Sequence, residues 1–173
     1  MTATGRAEET KLDFAGLVEQ HQAMVFSLAY HFLGDRHAAE ETAQEVFLAL
    51  HRHRNEIQSP EHAAFWLRRV TAQRAIDEAR RRSRRPQVAL ADVAEPAVPA
   101  SPGDPLLGDL LRRLVASLPE TARLVTILRY QEDLDPAEIS ELLDMPLGTV
   151  KSHLQRSLAM LREKLARRGL GER

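Results

Sequence analysis

The stretch PQVALADVAEPAVPASPGDP, from Pro86 to Pro105, divides the chain in two. Five of its nine prolines fall there: Pro86, Pro96, Pro99, Pro102 and Pro105. Proline fixes φ and lacks an N–H, so such a run cannot build a helix interior or a central strand. Rich in alanine and without a periodic apolar face, it reads as an extended, semi-rigid linker. What remains is two lobes of roughly 85 and 70 residues, each small enough to need well-packed elements. Neither shows β-alternation of any length, whereas apolar residues recur at helical spacing. The expected fold class is all-α: a helical domain over 1–86, a Pro/Ala-rich linker over 87–104, and a second helical domain over 105–173.

Three main helices are expected in the first lobe. One runs from Asp13, a plausible N-cap, to Leu33, with Gly34 suited to the C-cap. Its buried side carries Leu17, Met24, Val25, Leu28 and Phe32. The next begins after Asp35 and runs to about His53, burying Ala39, Thr42, Ala43, Val46 and Leu50. Its other face holds Glu41, Gln44, Glu45 and Leu48, with Phe47 at the border. An exposed leucine among carboxylates has the character of a docking surface. The third helix starts at Ser59-Pro60-Glu61, a cap followed by proline at the first helical position, and continues to about Arg82. Phe65, Ala72, Ile76 and Ala79 face one way, and Trp66, Arg69, Gln73, Asp77 and Arg80 form a separate stripe. An aromatic, an amide and arginines on one face combine base stacking with phosphate neutralisation, as single-stranded DNA requires. The blander reading makes Trp66 simply core.

In the second lobe, helices are expected over Leu106–Ser117 and, after Leu118-Pro119, to about Gln131. Then comes DPAEISELLDMPLGTVKSHLQR, Asp135 to Arg156. Pro136 suits a first helical turn, and Ile139, Leu142 and Leu143 line one face. Asp144-Met145-Pro146 ends that helix, because a residue before proline avoids the helical region. From about Leu147 to Arg167 a second helix has Leu147, Val150, Leu154, Leu158, Leu161 and Leu165 as its apolar stripe. The opposite face carries Gly148, Thr149, Ser152, Gln155 and Arg156, flanked by Lys151 and His153. Small, polar and cationic groups of this kind reach phosphates and base edges. The pair reads as a helix-turn-helix whose second helix enters a major groove; an ordinary helical hairpin is the alternative.

Composition removes other classes. With no cysteine there are no disulfides and no thiolate metal sites. No apolar run reaches the roughly 18 residues of a membrane span, and MTATGRAEETK lacks a signal-peptide core, so the expectation is a cytoplasmic protein without membrane insertion. The net charge is only −1, so a nucleic-acid partner requires segregated cations. They are segregated. Arg68 to Arg85 holds eight arginines against Asp77 and Glu78, and Lys151 to Arg168 holds six cations against Glu163. No phosphate loop, zinc-protease motif or nucleophile elbow appears. The seven histidines lack ligand spacing. The expectation is no enzyme, no metal and no cofactor.

The order of these parts resembles the extracytoplasmic-function (ECF) sigma factors, the smallest branch of the sigma-70 family of bacterial transcription initiation factors. Asp35 to Leu48, DRHAAEETAQEVFL, looks like region 2.2, which in that family binds the clamp helices of RNA polymerase. Phe65 to Val70, then Ala75-Ile76-Asp77 and the arginine run, look like regions 2.3 and 2.4, which open and read the −10 element. Leu118-Pro119-Glu120 through Tyr130, Glu138-Ile139, and Gly148 to Ser152 look like regions 4.1 and 4.2, which read the −35 element. The resemblance implies polymerase contacts at Glu41, Gln44, Glu45, Phe47 and Leu48. It implies −10 contacts at Trp66, Arg69, Gln73, Arg74, Asp77, Arg80 and Arg81. It implies −35 contacts at Gly148, Thr149, Lys151, Ser152, His153, Gln155 and Arg156. The implied partners are core RNA polymerase, promoter DNA and an anti-sigma factor. Asp144 stands where the family usually has glycine, so the turn must hold a side chain at positive φ or change shape. His153 stands where arginine is common, and Ala72-Gln73 replaces a more usual Arg-Asn pair. The competing readings are a conventional helix-turn-helix regulator and a sigma-like protein that titrates an anti-sigma factor.

Overall fold

The computed structural model describes residues 13–84 and 105–169. The expected linker at 87–104, Arg85 at the end of the arginine run, and the ends of both domains lie outside them. Seven α-helices and one short 3-10 turn make up the regular structure of the described residues.

Local chemistry fixes the helix ends. Helix α1 spans Phe14–Leu33, and the Asp13 carboxylate accepts hydrogen bonds from the N–H groups of Ala15 and Gly16. Gly34 closes it at φ 69°, donating its N–H to the Tyr30 carbonyl, a left-handed cap that costs glycine nothing. Helix α2, Arg36–His53, is capped by Asp35, which accepts from Ala38 N at 2.9 Å. A 3-10 turn at Arg54–Glu56 follows, which the sequence pattern did not announce. Helix α3, Pro60–Arg84, starts where Ser59 Oγ accepts from His62 N at 3.1 Å and ends two residues beyond expectation. Helices α4 (Pro105–Ala116), α5 (Glu120–Tyr130), α6 (Pro136–Leu143) and α7 (Leu147–Ala166) form the second half.

Helices α1, α2 and α3 pack around Leu17, Val25, Val46, Leu50, Ala63 and Leu67. The residues of α3 that turn inward are Ala63, Leu67, Thr71, Ala72 and Ala75. The face with Phe65, Ile76 and Ala79 does not close that core. It is half-buried against a second cluster, in which Leu28, Phe32, Ala72 and Ala75 meet Leu124, Val125, Leu128, Ile139 and Leu142 of the second half. The two halves therefore share a continuous apolar seam, although the sequence reads as two lobes on a tether. Burying each large side chain there stabilises the joint by about 1.5–3 kcal/mol relative to exposure.

Polar ties rim the seam. Arg68 Nε bonds Glu132 Oε2 at 3.0 Å, Arg80 Nη2 meets Glu120 Oε1 at 3.1 Å, and Gln131 Nε2 donates to Ser27 Oγ at 2.9 Å. Arg123 lies over the Phe32 ring, 5.4 Å from its centroid, and donates to the Phe32 carbonyl at 3.0 Å. On α7, Val150 and Leu154 are buried as expected, but Leu147 is 40% exposed and Ser157 takes a fully buried place. Leu147 opens the helix beside Pro146, and the buried stripe begins at Val150.

Candidate polymerase and nucleic-acid interfaces

The outward face of α2 stays open because its other side is used up. Ala38, Ala39, Thr42, Val46, Ala49 and Leu50 are buried, which leaves Glu41, Gln44, Glu45 and Leu48 exposed and Phe47 half-buried. Leu48 is 58% exposed. It borders an open groove of about 1000 Å³ between α1 and α2, whose apolar wall includes Phe14, Val18, Phe26 and Phe47. Glu40, Gln44 and His51 stand on the rim. This groove escaped the sequence, because its two walls come from different helices.

Glu45 also faces α3, where Arg74 Nη1 bonds its Oε2 at 3.0 Å. Residues expected to touch two different partners thus hold each other. Both are substantially exposed, so the pair is worth about 0–1 kcal/mol and yields readily. Nearby, Glu78 holds Arg81 at 2.6 Å. Arg82 bonds the Asp35 carboxylate. Burial works against the charge of Asp35, but hydrogen bonds from the Ala38 N–H and Arg82 outweigh it and hold the carboxyl below its ordinary value.

Along α3, Gln73, Asp77, Arg80 and Arg81 are exposed, while Arg69 and Arg74 are half-buried. Trp66 divides its role. It packs against the first core, and its ring lies 5.9 Å from that of His53, tilted 44°. Arg80 is engaged by Glu120 from across the seam.

The helix-turn-helix is built as its residues dictate. Asp135 and Glu138 form a reciprocal capping box, with Pro136 in the first turn. Asp144 ends α6 at φ 51° and ψ 49°, so the turn keeps its shape with a non-glycine residue in the left-handed region. Asparagine and aspartate tolerate that region better than other side chains. Ser140 closes the turn, accepting from Met145 N at 3.0 Å through its carbonyl and donating its hydroxyl to the Met145 carbonyl at 2.6 Å. Helix α7 then leaves Pro146 with no side-chain cap. Gly148, Thr149, Lys151, Gln155 and Arg156 are exposed, and Ser152 and His153 are half-buried. A Cβ at Gly148 would meet nothing within 4 Å, so the backbone of the first turn is open to an approaching surface. Among the described residues, no three histidine, aspartate or glutamate side chains gather as metal ligands would.

Comparison with known proteins covers both halves. The Sigma-70 region 2 family matches residues 17–85, and the family described as Sigma-70, region 4 matches 108–161. ECF RNA polymerase sigma factor SigE of Mycolicibacterium smegmatis is 35% identical over 160 residues, spanning 87% of this chain and 61% of that protein. SigW of Bacillus subtilis is 30% identical over 167 residues, covering 88% of each chain. SigK of Mycobacterium tuberculosis is 30% identical over 160 residues, covering 88% of this chain and 85% of that one. Two solved structures share the fold. CnrH in complex with the cytosolic domain of CnrY has a TM-score of 0.65 at 18% identity, covering 88% of this chain and 87% of its own. The sigma factor RpoE in complex with the anti-sigma factor NepR, from Bartonella quintana, has a TM-score of 0.68 at 16% identity, covering 89% and 97%.

Proposed function

The chain belongs to the ECF RNA polymerase sigma factors of the sigma-70 family, and from that premise we propose which of its surfaces carry the work. The first domain, 1–86, docks on core polymerase through Glu41, Gln44, Glu45, Phe47 and Leu48. Leucine and phenylalanine supply apolar area beside the α1–α2 groove, and the carboxylates supply register and steering. The third helix, with Trp66, Arg69, Gln73, Arg74, Asp77, Arg80 and Arg81, and the segment from Asn55 to Glu61, which runs from the 3-10 turn into the first residues of α3, hold the displaced strand of the −10 element. An unstacked base that gains a stacking surface and cationic neighbours costs less to expose, which favours strand opening.

The second domain, 105–173, lays α7 in the −35 major groove. Gly148 brings a helix-terminal N–H to a phosphate; the Thr149 N–H already donates to the Pro146 carbonyl at 2.8 Å, so Thr149 makes its contact through the hydroxyl, and Lys151, Ser152, His153, Gln155 and Arg156 reach backbone and bases. One observation carries this reading: the polar face of α7 is exposed while Val150 and Leu154 anchor its other side. The chemistry of RNA synthesis belongs to the polymerase, so this chain acts as a binding subunit rather than an enzyme. We propose that the chain works in the cytoplasm, where the polymerase is. No helix among the described residues is long and apolar enough to cross a membrane. An anti-sigma factor is the expected antagonist; RpoE of Bartonella quintana is bound to one. Run-off transcription with bacterial core polymerase and a genomic fragment library tests the whole. Specific transcripts that depend on the added chain are expected. A protein that binds duplex DNA alone, and adds no transcripts, is instead a conventional regulator.

A further inference from the structure

Two hydroxyls in the chain have arginines both two and three residues before them: Thr71, in Arg68-Arg69-Val70-Thr71, and Ser83, in Arg80-Arg81-Arg82-Ser83. Arginines in those places are what a basic-directed protein kinase reads, because carboxylates along its substrate groove pair with the guanidinium forks. The structure separates the two. Thr71 is fully buried and its hydroxyl donates to the Leu67 carbonyl at 2.6 Å. Arg68, three residues before it, is only 24% exposed and is bound to Glu132. Ser83 is exposed, and Arg80 and Arg81 before it have 57% and 54% of their side chains exposed. The Ser83 hydroxyl donates to the Arg80 carbonyl at 2.9 Å, within the last turn of α3. Helix ends open at little free-energy cost, so a kinase can draw this segment into the extended form its groove accepts.

Charge decides what a phosphate there would do. Residues 80 to 85 hold five arginines around the serine. Glu120, Glu78 and Asp35 bond Arg80, Arg81 and Arg82 respectively, which leaves two positive charges uncompensated. A phosphoserine carries about −1.5 to −2 at neutral pH, enough to cancel them. It would also stand at the C-terminal end of a helix, where the backbone dipole disfavours negative charge.

We propose that Ser83 is a phosphorylation site for a basic-directed serine/threonine kinase, and that its phosphate switches off the arginine run as a nucleic-acid contact. The second half of this rests on the reading of α3 as a DNA-binding helix. In the transfer, Ser83 Oγ bonds the γ-phosphorus of a nucleoside triphosphate. The bond from that phosphorus to the β–γ bridging oxygen breaks, the diphosphate leaves, and the hydroxyl proton passes to the kinase's catalytic base.

The test treats the full-length protein with ATP and the catalytic subunit of cyclic-AMP-dependent protein kinase, a basic-directed enzyme. Intact mass should show the gain of one phosphoryl group, and peptide mapping should place it on Ser83. The Ser83→Ala variant should gain none, since Thr71 keeps its hydroxyl buried. Anisotropy with a labelled single-stranded oligo(dT) then reads the consequence. The phosphorylated protein should bind about tenfold more weakly, with a log–log salt slope shallower by about 1.4, the share of two lost phosphate contacts. Kinase-treated Ser83→Ala should stay within about twofold of untreated wild type. No phosphoryl gain, or a gain that persists in Ser83→Ala, overturns the acceptor assignment. Stoichiometric phosphate on Ser83 with unchanged oligo(dT) affinity and salt slope overturns the switch. Untreated wild type without affinity for oligo(dT) refutes the DNA-binding reading of α3 instead, and the mass spectrum still decides whether Ser83 is the acceptor.

Discussion

Phe32→Ala is the sharpest test of the shared core. Phe32 is 1% exposed and lies in the cluster that joins the two halves. Deleting a buried phenylalanine side chain costs about 3–5 kcal/mol, because the transfer free energy is lost and a cavity remains. Arg123 loses the ring beneath it, worth about 0.5–1 kcal/mol, but keeps its hydrogen bond, since the acceptor is the backbone carbonyl. The sum is about 4 kcal/mol, a large share of the roughly 5–15 kcal/mol available to a folded domain. With a urea m-value of about 2 kcal/mol/M, the midpoint should fall by about 2 M. Two probes make the test specific. The single tryptophan, Trp66, reports on the first half, whereas far-UV circular dichroism reports on the helices of both. In a molecule with one shared core the two transitions coincide, and Phe32→Ala moves them together. Separate transitions in the wild type, with only the Trp66 signal shifted by the substitution, would refute the seam as a cooperative contact. So would a loss below about 1 kcal/mol, which is the scale of a surface substitution.

Four further outcomes are expected. Gly148→Ala should raise helix stability by about 0.5–1 kcal/mol, since the added Cβ meets nothing, yet weaken −35 duplex binding measured by anisotropy. Arg156→Ala should weaken the same binding by about 1–3 kcal/mol if it contacts a base, and unchanged affinity would strike it from the interface. Glu45→Lys should abolish pull-down of core polymerase and, opposite Arg74, cost only about 0–1 kcal/mol of fold stability. His21 is buried with its Nε2 unpartnered, and burial, reinforced by the charge of Arg68, holds its pKa below the ordinary 6.5. The unfolded chain therefore takes up the proton first, so stability is full above about pH 6.5 and falls on acidification, by at most about 1.4 kcal/mol per pH unit. Urea midpoints compared with His21→Leu should show that slope lost; a persistent slope would assign it to other groups.

How far the local chain carries can be seen at the helix ends. Asp13, Gly34, Asp35, Ser59 and Asp135 cap as their identities require, because a cap is decided by a residue and its next three or four neighbours. The same holds for the exposed faces of α2 and α7, each legible from one helix alone, whereas at Asp144 the sequence left open a side chain at positive φ or a change of turn shape, and the structure takes the first. The proposed contact residues lie on those faces and along α3. What they touch in the free protein was not legible.

Helix α3 marks the boundary. Its periodicity announced an apolar face at Phe65, Ala72, Ile76 and Ala79, and that face is real. But a spacing says that a side is apolar, not which neighbour covers it. The inner side of the first domain is made instead by Ala63 and Leu67, with Thr71 buried on the same helix; one leucine beside an alanine and a threonine gives the pattern little contrast. Arg68 and Arg80 looked alike in the sequence as members of one basic run, yet each meets a carboxylate 64 and 40 residues away. The chain alone determined most helix ends, since an end depends on bonds within a turn, although α3 runs past its expected end to Arg84 and the 3-10 turn at Arg54–Glu56 went unannounced. Only the tertiary structure decided that the two groups of helices close on each other, because burial between distant segments is settled by shape and charge that no local window contains.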